Sequence, residues 1–251
     1  MKLGFISDLH LSEKTPLTTE GFFKFLKTAA QEFSHLYILG DLFESWIGDD
    51  DDSPFALDVI EQIKTSTRSG LEIFFMHGNR DFLCGKKFAE DANISILPDP
   101  FFMDYFGQKI ALSHGDDFCT DDLEYVKFKK EVRSSSWQED FLNKSLEERQ
   151  EIASKMRDAS QSNKNEKDLS IMDVTPHAIS QFFTKNHIDL LIHGHTHRPN
   201  THQIDDSDTS GVRVVLGDWH ETGWCLTLED HERKLEAVSY THLRAHETTS
   251  D

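Results

Sequence analysis

The sequence is poor in cysteine. Its three cysteines, Cys84, Cys119 and Cys225, stand far apart in a chain of 251 residues and form no Cys-x-x-Cys pair. This spacing is typical of reduced thiols in a reducing compartment and argues against a disulfide framework. We expect the three thiols to be small core residues.

Basic residues are also scarce. The chain contains 26 Lys and Arg against 45 Asp and Glu, which gives a formal net charge of −19. A nucleic-acid binder is therefore not expected, because phosphate backbones are bound by clustered positive charge. An anionic substrate would need a local positive centre, which two divalent ions would provide, since overall charge is screened beyond about 8 Å.

Long apolar runs are absent as well. No segment approaches the roughly 18 apolar residues of a membrane span, and the N-terminal segment reaches Asp8 too early for a signal peptide. We therefore expect a cytosolic protein. With 37% hydrophobic and 28% charged residues, the chain fits one large soluble domain, or one domain with a sizeable insertion.

Three histidines alternate at the end of an apolar run. Residues 188–192 read as a short buried strand, and His193, His195 and His197 follow it. In extended backbone His195 and His197 point to one side, about 6 to 7 Å apart, so each imidazole could bind one of two neighbouring ions. The alternative is a chance cluster, or a histidine that caps a strand end, and an isolated His-x-His does not decide between them.

Residues of the metal-binding type follow every apolar strand in the first half of the chain. The strands are predicted at 3–7, 36–39, 71–76 and 109–113, with helical periodicity from Phe22 to Phe33. Each side chain alone could be a capping residue, but a doubly wound sheet would bring all the strand ends to one crevice. The residues concerned are Asp8, His10, Asp41, Asn79 and His114.

Four consecutive acidic residues, 49–52, precede Ser53-Pro54, which is a plausible helix start. Adjacent carboxylates repel and point in divergent directions. We therefore predict a solvated loop here rather than a cation site.

These motifs together resemble a known family. Asp8-x-His10, Gly40-Asp41, Gly78-Asn79, His114 and Gly194-His195-x-His197 are similar to the five signature blocks of the calcineurin-like metallophosphoesterases, in family order. The resemblance implies an α/β sandwich, the metallophosphoesterase fold, with two facing mixed β-sheets flanked by helices. It also implies a core of residues 1–121 and 186–238 with a helical insertion, or lid, at 122–185.

The resemblance implies a two-metal site as well. Asp8, His10, Asp41 and His197 would hold one ion, and Asp41, Asn79, His114 and His195 the other, with the carboxylate of Asp41 bridging. Mixed oxygen and imidazole ligands suit Mn²⁺ or Fe²⁺, and no thiolates of the kind that structural zinc favours are present. We expect two Mn²⁺ per chain. His77 and His193 match no ligand position and are expected to be structural.

One departure from the family pattern concerns Arg80. Most family members have a histidine after Gly-Asn, which is taken to protonate the leaving oxygen, and this chain has Gly78-Asn79-Arg80-Asp81. Arginine does not release a proton near neutral pH but can grip phosphate oxygens. A leaving group that departs without protonation, such as the phosphate of a diphosphate, suits this site. The implied catalytic residues are Asp41, Asn79, Arg80 and His114.

Arg80 and neighbouring segments, including 36–44 and 193–199, sharpen the resemblance to one branch of the family, which acts in lipid A biosynthesis. Its members hydrolyse UDP-2,3-diacylglucosamine by water attack on the α-phosphate, and release UMP and 2,3-diacylglucosamine 1-phosphate. Substrate contacts are then implied for Asn79, Arg80, Asp122, Ser160, Lys164, Lys167 and His195. The alternatives are a generic dinuclear-metal phosphodiesterase, and a binding module without chemistry, which would be expected to have lost ligands.

The insertion at 122–185 has helical periodicity. It could be an ordinary helical subdomain with its own small core, a lid that forms a groove for two acyl chains, or both. A diacylated substrate also implies a peripheral position on the cytoplasmic face of the bacterial inner membrane, with Phe141 and Leu142 as candidate contacts, although no strongly basic amphipathic helix is present. We infer no obligate protein partner.

The second sheet is expected to include strands at 212–216 and 224–228, followed by 235–238. The tail, 239–251, is polar and unpatterned. It is unlike the apolar finish of the family and resembles read-through of sequencing adapter, so we expect it to be foreign to the fold.

Overall fold

The computed structural model describes residues 1–166, 173–206, 209–220 and 222–238, and for 159–166 it describes the backbone only. The strands of this part are β1 (Lys2–Ile6), β2 (His35–Leu39), β3 (Glu72–Met76), β4 (Ser95–Leu97), β5 (Phe101–Tyr105), β6 (Gln108–Ser113), β7 (Leu190–His193), β8 (Asn200–Asp206), β9 (Thr209–Val215), β10 (Gly223–Glu229) and β11 (Glu232–Val238). The helices are α1 (Pro16–Glu32), α2 (Pro54–Arg68), α3 (Lys86–Ala92), α4 (Leu123–Val132), α5 (Ser135–Leu142), α6 (Leu146–Glu166) and α7 (Pro176–Asn186). The predicted tail lies outside the described residues.

The strands form two mixed sheets. The first has the order β11-β10-β1-β2-β3-β4, and β1 to β4 run parallel in it. The second has the order β5-β6-β7-β9-β8, with β6, β7 and β9 parallel. The predicted sandwich of two mixed sheets is confirmed. The strand predicted at 212–216 lies in the second sheet as β9, but the prediction that 224–228 and 235–238 build that sheet is wrong, because β10 pairs antiparallel with β1 and β11 with β10 at the edge of the first sheet.

Alternating side chains place the core between the sheets. On β1, Leu3 and Phe5 lie in the same buried cluster as Ile110 and Leu112 of β6, whereas Ile6 belongs to the cluster on the outer face of the first sheet. This is the two-residue period of a strand that is buried on both faces. The C-terminal ends of these strands carry the residues of the candidate site.

Two helices cover the outer face of the first sheet. The sequence predicts α2 well: Ser53 accepts a hydrogen bond from the N–H of Ala56 as the N-cap, and Pro54 occupies the first turn. The apolar face of α2, including Val59, Ile60 and Ile63, packs in the same cluster as Phe22 of α1. The elements α3, β4, β5 and β8 were not predicted, because they are short and none of them contains a continuous apolar run like those of β2 and β3.

Residues 49–52 form an exposed or half-exposed loop, as predicted, but its first two members have partners that the prediction did not include. Asp49 is half-buried and accepts hydrogen bonds from the N–H groups of Gly85 and Phe88, at the start of α3. Asp50 pairs with Arg149 of α6. The carboxylates do point in divergent directions, as expected, but two of them have partners that are far away in sequence.

In the part of the chain between β6 and β7 that the structure describes, the predicted helices are present as α4 to α7. Phe141 of α5 is 4% exposed and stacks on Trp137 with ring centroids 4.8 Å apart, so the prediction that it contacts a membrane is wrong. Leu142 is 42% exposed. In α7, Ile179 and Phe183 pack on the outer face of the second sheet. Within the described residues, none of the helices is long and apolar enough to cross a bilayer.

The three cysteines are buried free thiols, as predicted. Burial raises the pKa of Cys119 and of Cys225 to about 12, which keeps them protonated. They act as small core residues.

Candidate metal centre

The loops after β1 and β2 continue side by side beyond the sheet. The N–H of Asp8 donates to the carbonyl of Gly40, and that of His10 to the carbonyl of Asp41, at 3.1 and 3.0 Å. The N–H of Leu11 donates to the carbonyl of Leu42 at 2.9 Å. These hydrogen bonds hold Asp8, His10 and Asp41 at one edge of the first sheet.

The backbone at the site is strained. Among the nine non-glycine residues with positive φ in the described part of the chain, five are candidate ligands. Side chains rarely adopt the left-handed region, at a cost of about 1 to 3 kcal/mol per residue, and such residues cluster at functional sites. These five residues are Asp8, His10, Asp41, His195 and His197, with φ between 49° and 67°.

A first cluster of ligand atoms comes from Asp8, His10 and His197, whose atoms lie within 4.8 Å of one another. The Nε2 atoms of His10 and His197 are 3.3 Å apart. Nε2 of His197 is 3.4 Å from Oδ1 of Asp8. Two imidazoles and a carboxylate therefore converge on one small volume.

A second cluster lies around Asn79. Its Oδ1 atom is 3.1 Å from Nε2 of His114 and 2.9 Å from Nδ1 of His195. Asp41 lies between the two clusters: its Oδ2 is 3.8 Å from Nε2 of His10, and its Oδ1 is 3.9 Å from Nε2 of His114. The structure thus brings together all seven residues that the sequence suggested as ligands.

The residues fit a bound cation. Oδ1 of Asp8 is buried and accepts no hydrogen bond from the residues that the structure describes. An unpaired buried carboxylate oxygen is costly unless a cation or a donor compensates it. With imidazole nitrogens and an amide oxygen facing the same space, the donor set suits divalent metal ions.

The electrostatics of the cluster also favour bound positive charge. Burial opposes ionisation of Asp8, but the imidazoles of His197, His114 and His10 lower its pKa below the usual range. Burial would lower the pKa of His114, but the carboxylates of Asp41 and Asp116 raise it to about 9. Burial and the neighbouring His114 lower the pKa of His195 to about 4. The carboxylates of the cluster therefore favour positive charge beside them, and the low pKa of His195 keeps its ring neutral.

Asp81 was not suggested by the sequence as a functional residue, and it organises two of the loops. It is fully buried, and its carboxylate accepts hydrogen bonds from the N–H groups of Leu42 at 2.7 Å and Gly78 at 2.8 Å. Burial and the neighbouring Asp41 raise its pKa to about 7. Its position directly after Arg80, within a motif that supplies a ligand, was the available signal.

Asp116 was also missed, and it ties α4 to the site. The hydroxyl of Tyr125 donates to Oδ2 of Asp116 at 2.5 Å, and Nζ of Lys129 lies 2.9 Å from the same oxygen. The Tyr125 ring in turn lies against His195, with centroids 5.8 Å apart. Burial alone would raise the pKa of Asp116, but the charges of His114, His195 and Lys129 lower it.

The predicted substrate contacts are only partly described. The backbone N–H of Arg80 donates to Oδ1 of Asp41 at 2.8 Å, which places Arg80 beside the metal ligands. Asp122 is the N-cap of α4 and accepts from the N–H of Tyr125. The side chains of Ser160 and Lys164, and all of Lys167, lie outside the described residues.

His77 and His193 stand apart from the ligand clusters. Nε2 of His77 lies 2.6 Å from the carbonyl oxygen of Cys84. His193 is fully buried, and its Nδ1 lies 2.9 Å from the carbonyl oxygen of Gly194, while Arg213 donates to its Nε2 at 3.2 Å. Burial and the Arg213 charge lower the pKa of His193 to about 3, which is in keeping with a neutral structural residue.

Comparison with known proteins places these observations in a family context. The model of the family described as calcineurin-like phosphoesterase matches residues 1–199. A protein of Cellvibrio japonicus named UDP-2,3-diacylglucosamine hydrolase is 46% identical over 226 residues, which cover 90% of this chain and 94% of that protein. A protein of the same name from Yersinia enterocolitica is 46% identical over 223 residues, 89% of this chain and 93% of its own.

Among solved structures, an archaeal phosphodiesterase aligns with a TM-score of 0.51 at 15% identity, and the alignment covers 95% of this chain and 100% of that chain. This likeness concerns the fold.

Proposed function

Because the chain belongs to the calcineurin-like phosphoesterase family, we propose that it hydrolyses the diphosphate of UDP-2,3-diacylglucosamine in lipid A biosynthesis. The observation that carries this proposal is the similarity, at 46% identity over nine-tenths of the chain, to proteins named for hydrolysis of that compound. Water attacks the α-phosphate, and UMP and 2,3-diacylglucosamine 1-phosphate are released.

Two Mn²⁺ ions are the proposed cofactors. Asp8, His10, Asp41 and His197 would hold one, and Asp41, Asn79, His114 and His195 the other. When bound, such a pair supplies positive charge opposite the phosphoryl oxygens and lowers the pKa of water. The position of Asp41 between the two ligand clusters supports a bridging role for its carboxylate.

Arg80 is the proposed anchor for the diphosphate. Its backbone is held on both sides, since its N–H donates to Asp41 and its carbonyl accepts from the N–H of Trp46 at 3.1 Å. A guanidinium in this place can bind two phosphate oxygens at once and needs no proton transfer. Together with Asn79 and His195 beside it, Arg80 would orient the α-phosphate for in-line attack.

The helical insertion would complete the substrate site. We propose that residues 122–185 act as a lid over the core formed by 1–121 and 186–238. Asp122, Ser160, Lys164 and Lys167 would contact the substrate head, and apolar faces of the insertion the acyl chains. The position of Tyr125 against His195 supports the closeness of lid and metal centre.

We further propose a peripheral position on the cytoplasmic face of the inner membrane, where a diacylated substrate resides. Several apolar side chains at the surface of α4 and α5 support this: Leu123 is 75% exposed and Val126 46%. Phe128 and Leu142 are exposed as well. A bilayer would cover these groups, as it does on peripheral proteins with an apolar face.

A substrate panel tests the proposal. The purified protein with Mn²⁺ is offered UDP-2,3-diacylglucosamine, bis-nitrophenyl phosphate and cyclic AMP, with chelated protein as the control. Release of UMP from the first compound alone is the expected result. Turnover of the small esters without the lipid would instead identify a general dinuclear-metal phosphodiesterase and reject the proposed substrate.

A further inference from the structure

Glu44 lies between the metal centre and the helical insertion. Its Oε2 is 3.2 Å from Nδ1 of His10, and its Oε1 is 3.1 Å from Nε of Arg157 on α6. Each oxygen of the carboxylate therefore faces a different part of the molecule. The side chain of Glu44 is 19% exposed, and that of His10 21%, so solvent competes little for either group.

The backbone fixes Glu44 next to His10. Leu11 and Phe43 form an isolated parallel bridge, and both side chains are 1% exposed. The N–H of Glu44 then donates to the carbonyl of Leu11 at 3.0 Å. The spacing between Glu44 and His10 is thus set by the pairing of two loops and does not depend on the flexible ends of the side chains.

A carboxylate beside Nδ1 of His10 influences which ring nitrogen carries the proton, and so whether Nε2 is free to bind a metal ion. The carboxylate of Glu44, 3.2 Å from Nδ1, favours the tautomer with its proton on Nδ1, in which the lone pair is on Nε2 and faces Nε2 of His197 and Oδ2 of Asp41. Carboxylate partners of this kind orient metal-binding imidazoles and raise their basicity. We propose that Glu44 is a positioning residue that holds His10 for metal binding, and that Arg157 couples the helical insertion to the metal centre through Glu44.

The position of Arg157 connects the contact between Arg157 and Glu44 with substrate binding. Helix α6, which contains Arg157, is anchored at its start, where Arg149 donates to the carbonyl of Ile47 and to Asp50, both at 2.7 Å. The same helix continues into the segment that contains Ser160 and Lys164. A displacement of α6 by substrate would therefore reach His10 through two contacts of Glu44, one with Arg157 and one with His10.

The test measures metal affinity as well as activity. Mn²⁺ binding is followed by equilibrium dialysis in the parent protein, Glu44→Gln, Glu44→Ala, Arg157→Ala and the double variant Glu44→Ala/Arg157→Ala. Glu151→Ala is the matched control, because Glu151 is an exposed carboxylate on α6 that pairs with Lys155. Thermal unfolding of each chelated protein checks that the fold is intact.

We expect Glu44→Ala to weaken one of the two Mn²⁺ sites by about 10- to 100-fold. Glu44→Gln should lose less, because an amide oxygen at this position can also accept a hydrogen bond from Nδ1 of His10. Arg157→Ala should weaken the same site, but should add nothing in the Glu44→Ala background. The control should bind Mn²⁺ as the parent does.

Two results would overturn the inference. One is a Glu44→Ala protein that folds and binds both Mn²⁺ ions as tightly as the parent. The other is an Arg157→Ala effect of equal size with and without Glu44, which would mean that Arg157 acts independently. The inference rests on the proposed metal centre, and the parent separates the two failures: a parent that binds no Mn²⁺ and releases no UMP rejects the proposed function itself.

Discussion

The imidazole rings of His10 and His197 face each other with their Nε2 atoms 3.3 Å apart. On the far side of each ring a carboxylate faces Nδ1: Glu44 at 3.2 Å from His10, and Asp218 at 3.6 Å from His197. A carboxylate beside Nδ1 favours the tautomer with its proton on that nitrogen, and with both rings in this tautomer the two Nε2 lone pairs would point at each other. Such an arrangement is unfavourable unless a positive charge lies between the rings.

The first prediction is that metal stabilises the folded protein. Adding Mn²⁺ at 100 times its Kd to chelated protein should raise the free energy of unfolding by about 2.7 kcal/mol, because the folded state alone presents the assembled ligands. Urea unfolding with and without Mn²⁺ measures this gain. In His197→Gln the gain should shrink, and an unchanged gain would show that His197 binds no metal.

The second prediction concerns the bridging carboxylate. Asp41→Ala should remove both ions and reduce kcat by more than about 100-fold, because loss of a shared ligand exceeds the 10- to 100-fold typical of residues behind the ligands. Asp41 has a φ of 54°, so Asp41→Asn serves as a companion that tolerates this backbone. Metal analysis and UMP release are the measurements, and two Mn²⁺ ions in folded Asp41→Ala would contradict the bridge.

Arg80 provides the third prediction, in which a substitution keeps the metal content but lowers the activity. Arg80→Ala should keep both ions, because the contact of residue 80 with Asp41 is made by the backbone N–H. Loss of charge-assisted hydrogen bonds to the diphosphate, worth about 1.5 to 3 kcal/mol, should reduce kcat/KM by roughly 10- to 150-fold. Arg80→Lys keeps the charge but loses the planar fork and should recover part of the activity. Full activity of Arg80→Ala would exclude the guanidinium from substrate binding.

Asp81 provides the fourth prediction, on stability. The carboxylate accepts N–H groups from two loops, and an asparagine offers one oxygen and turns an NH₂ group toward donors. Asp81→Asn should therefore lower the free energy of unfolding by about 1 to 3 kcal/mol. Asp91→Asn is the control, since Asp91 forms an exposed pair with Lys87 and should change stability by less than about 1 kcal/mol. Equal urea midpoints for the two variants would refute the role of Asp81.

The contrast between Asp41 and Asp81 shows what local sequence can predict. Asp41 follows a continuous apolar strand, and a parallel sheet gathers such strand ends at one edge, so its place in the site was predictable. Asp81 acts through backbone N–H groups of residues 41–43 and 78, and which loops meet there is decided by the packed sheet. No periodicity encodes such a contact.

The acidic run illustrates the same limit. Four adjacent carboxylates indicate a solvated loop when charge is the only information, yet Asp50 pairs with Arg149, 99 residues away. Glu44 is a similar case, because Arg157 reaches it from a helix far along the chain. Contacts between the insertion and the core depend on where the insertion packs. The sequence around each residue does not predict that packing.

The last prediction concerns acid stability and His193. This residue is buried and neutral, because burial and the Arg213 guanidinium lower its pKa to about 3, whereas in the unfolded chain a histidine titrates near 6.5. Between these values the unfolded state binds one more proton than the native state. The contribution of neutral His193 to the free energy of unfolding is therefore complete above pH 6.5. It is lost as the pH falls toward 3, at up to about 1.4 kcal/mol per pH unit. Urea unfolding of chelated protein at pH 6.5, 5.5 and 4.5 gives the slope of the free energy of unfolding against pH. In His193→Gln this slope should be shallower than in the parent by the amount that corresponds to about one proton. The difference between the two slopes cancels the other titrating groups, so identical slopes would mean that His193 already carries its proton in the native state.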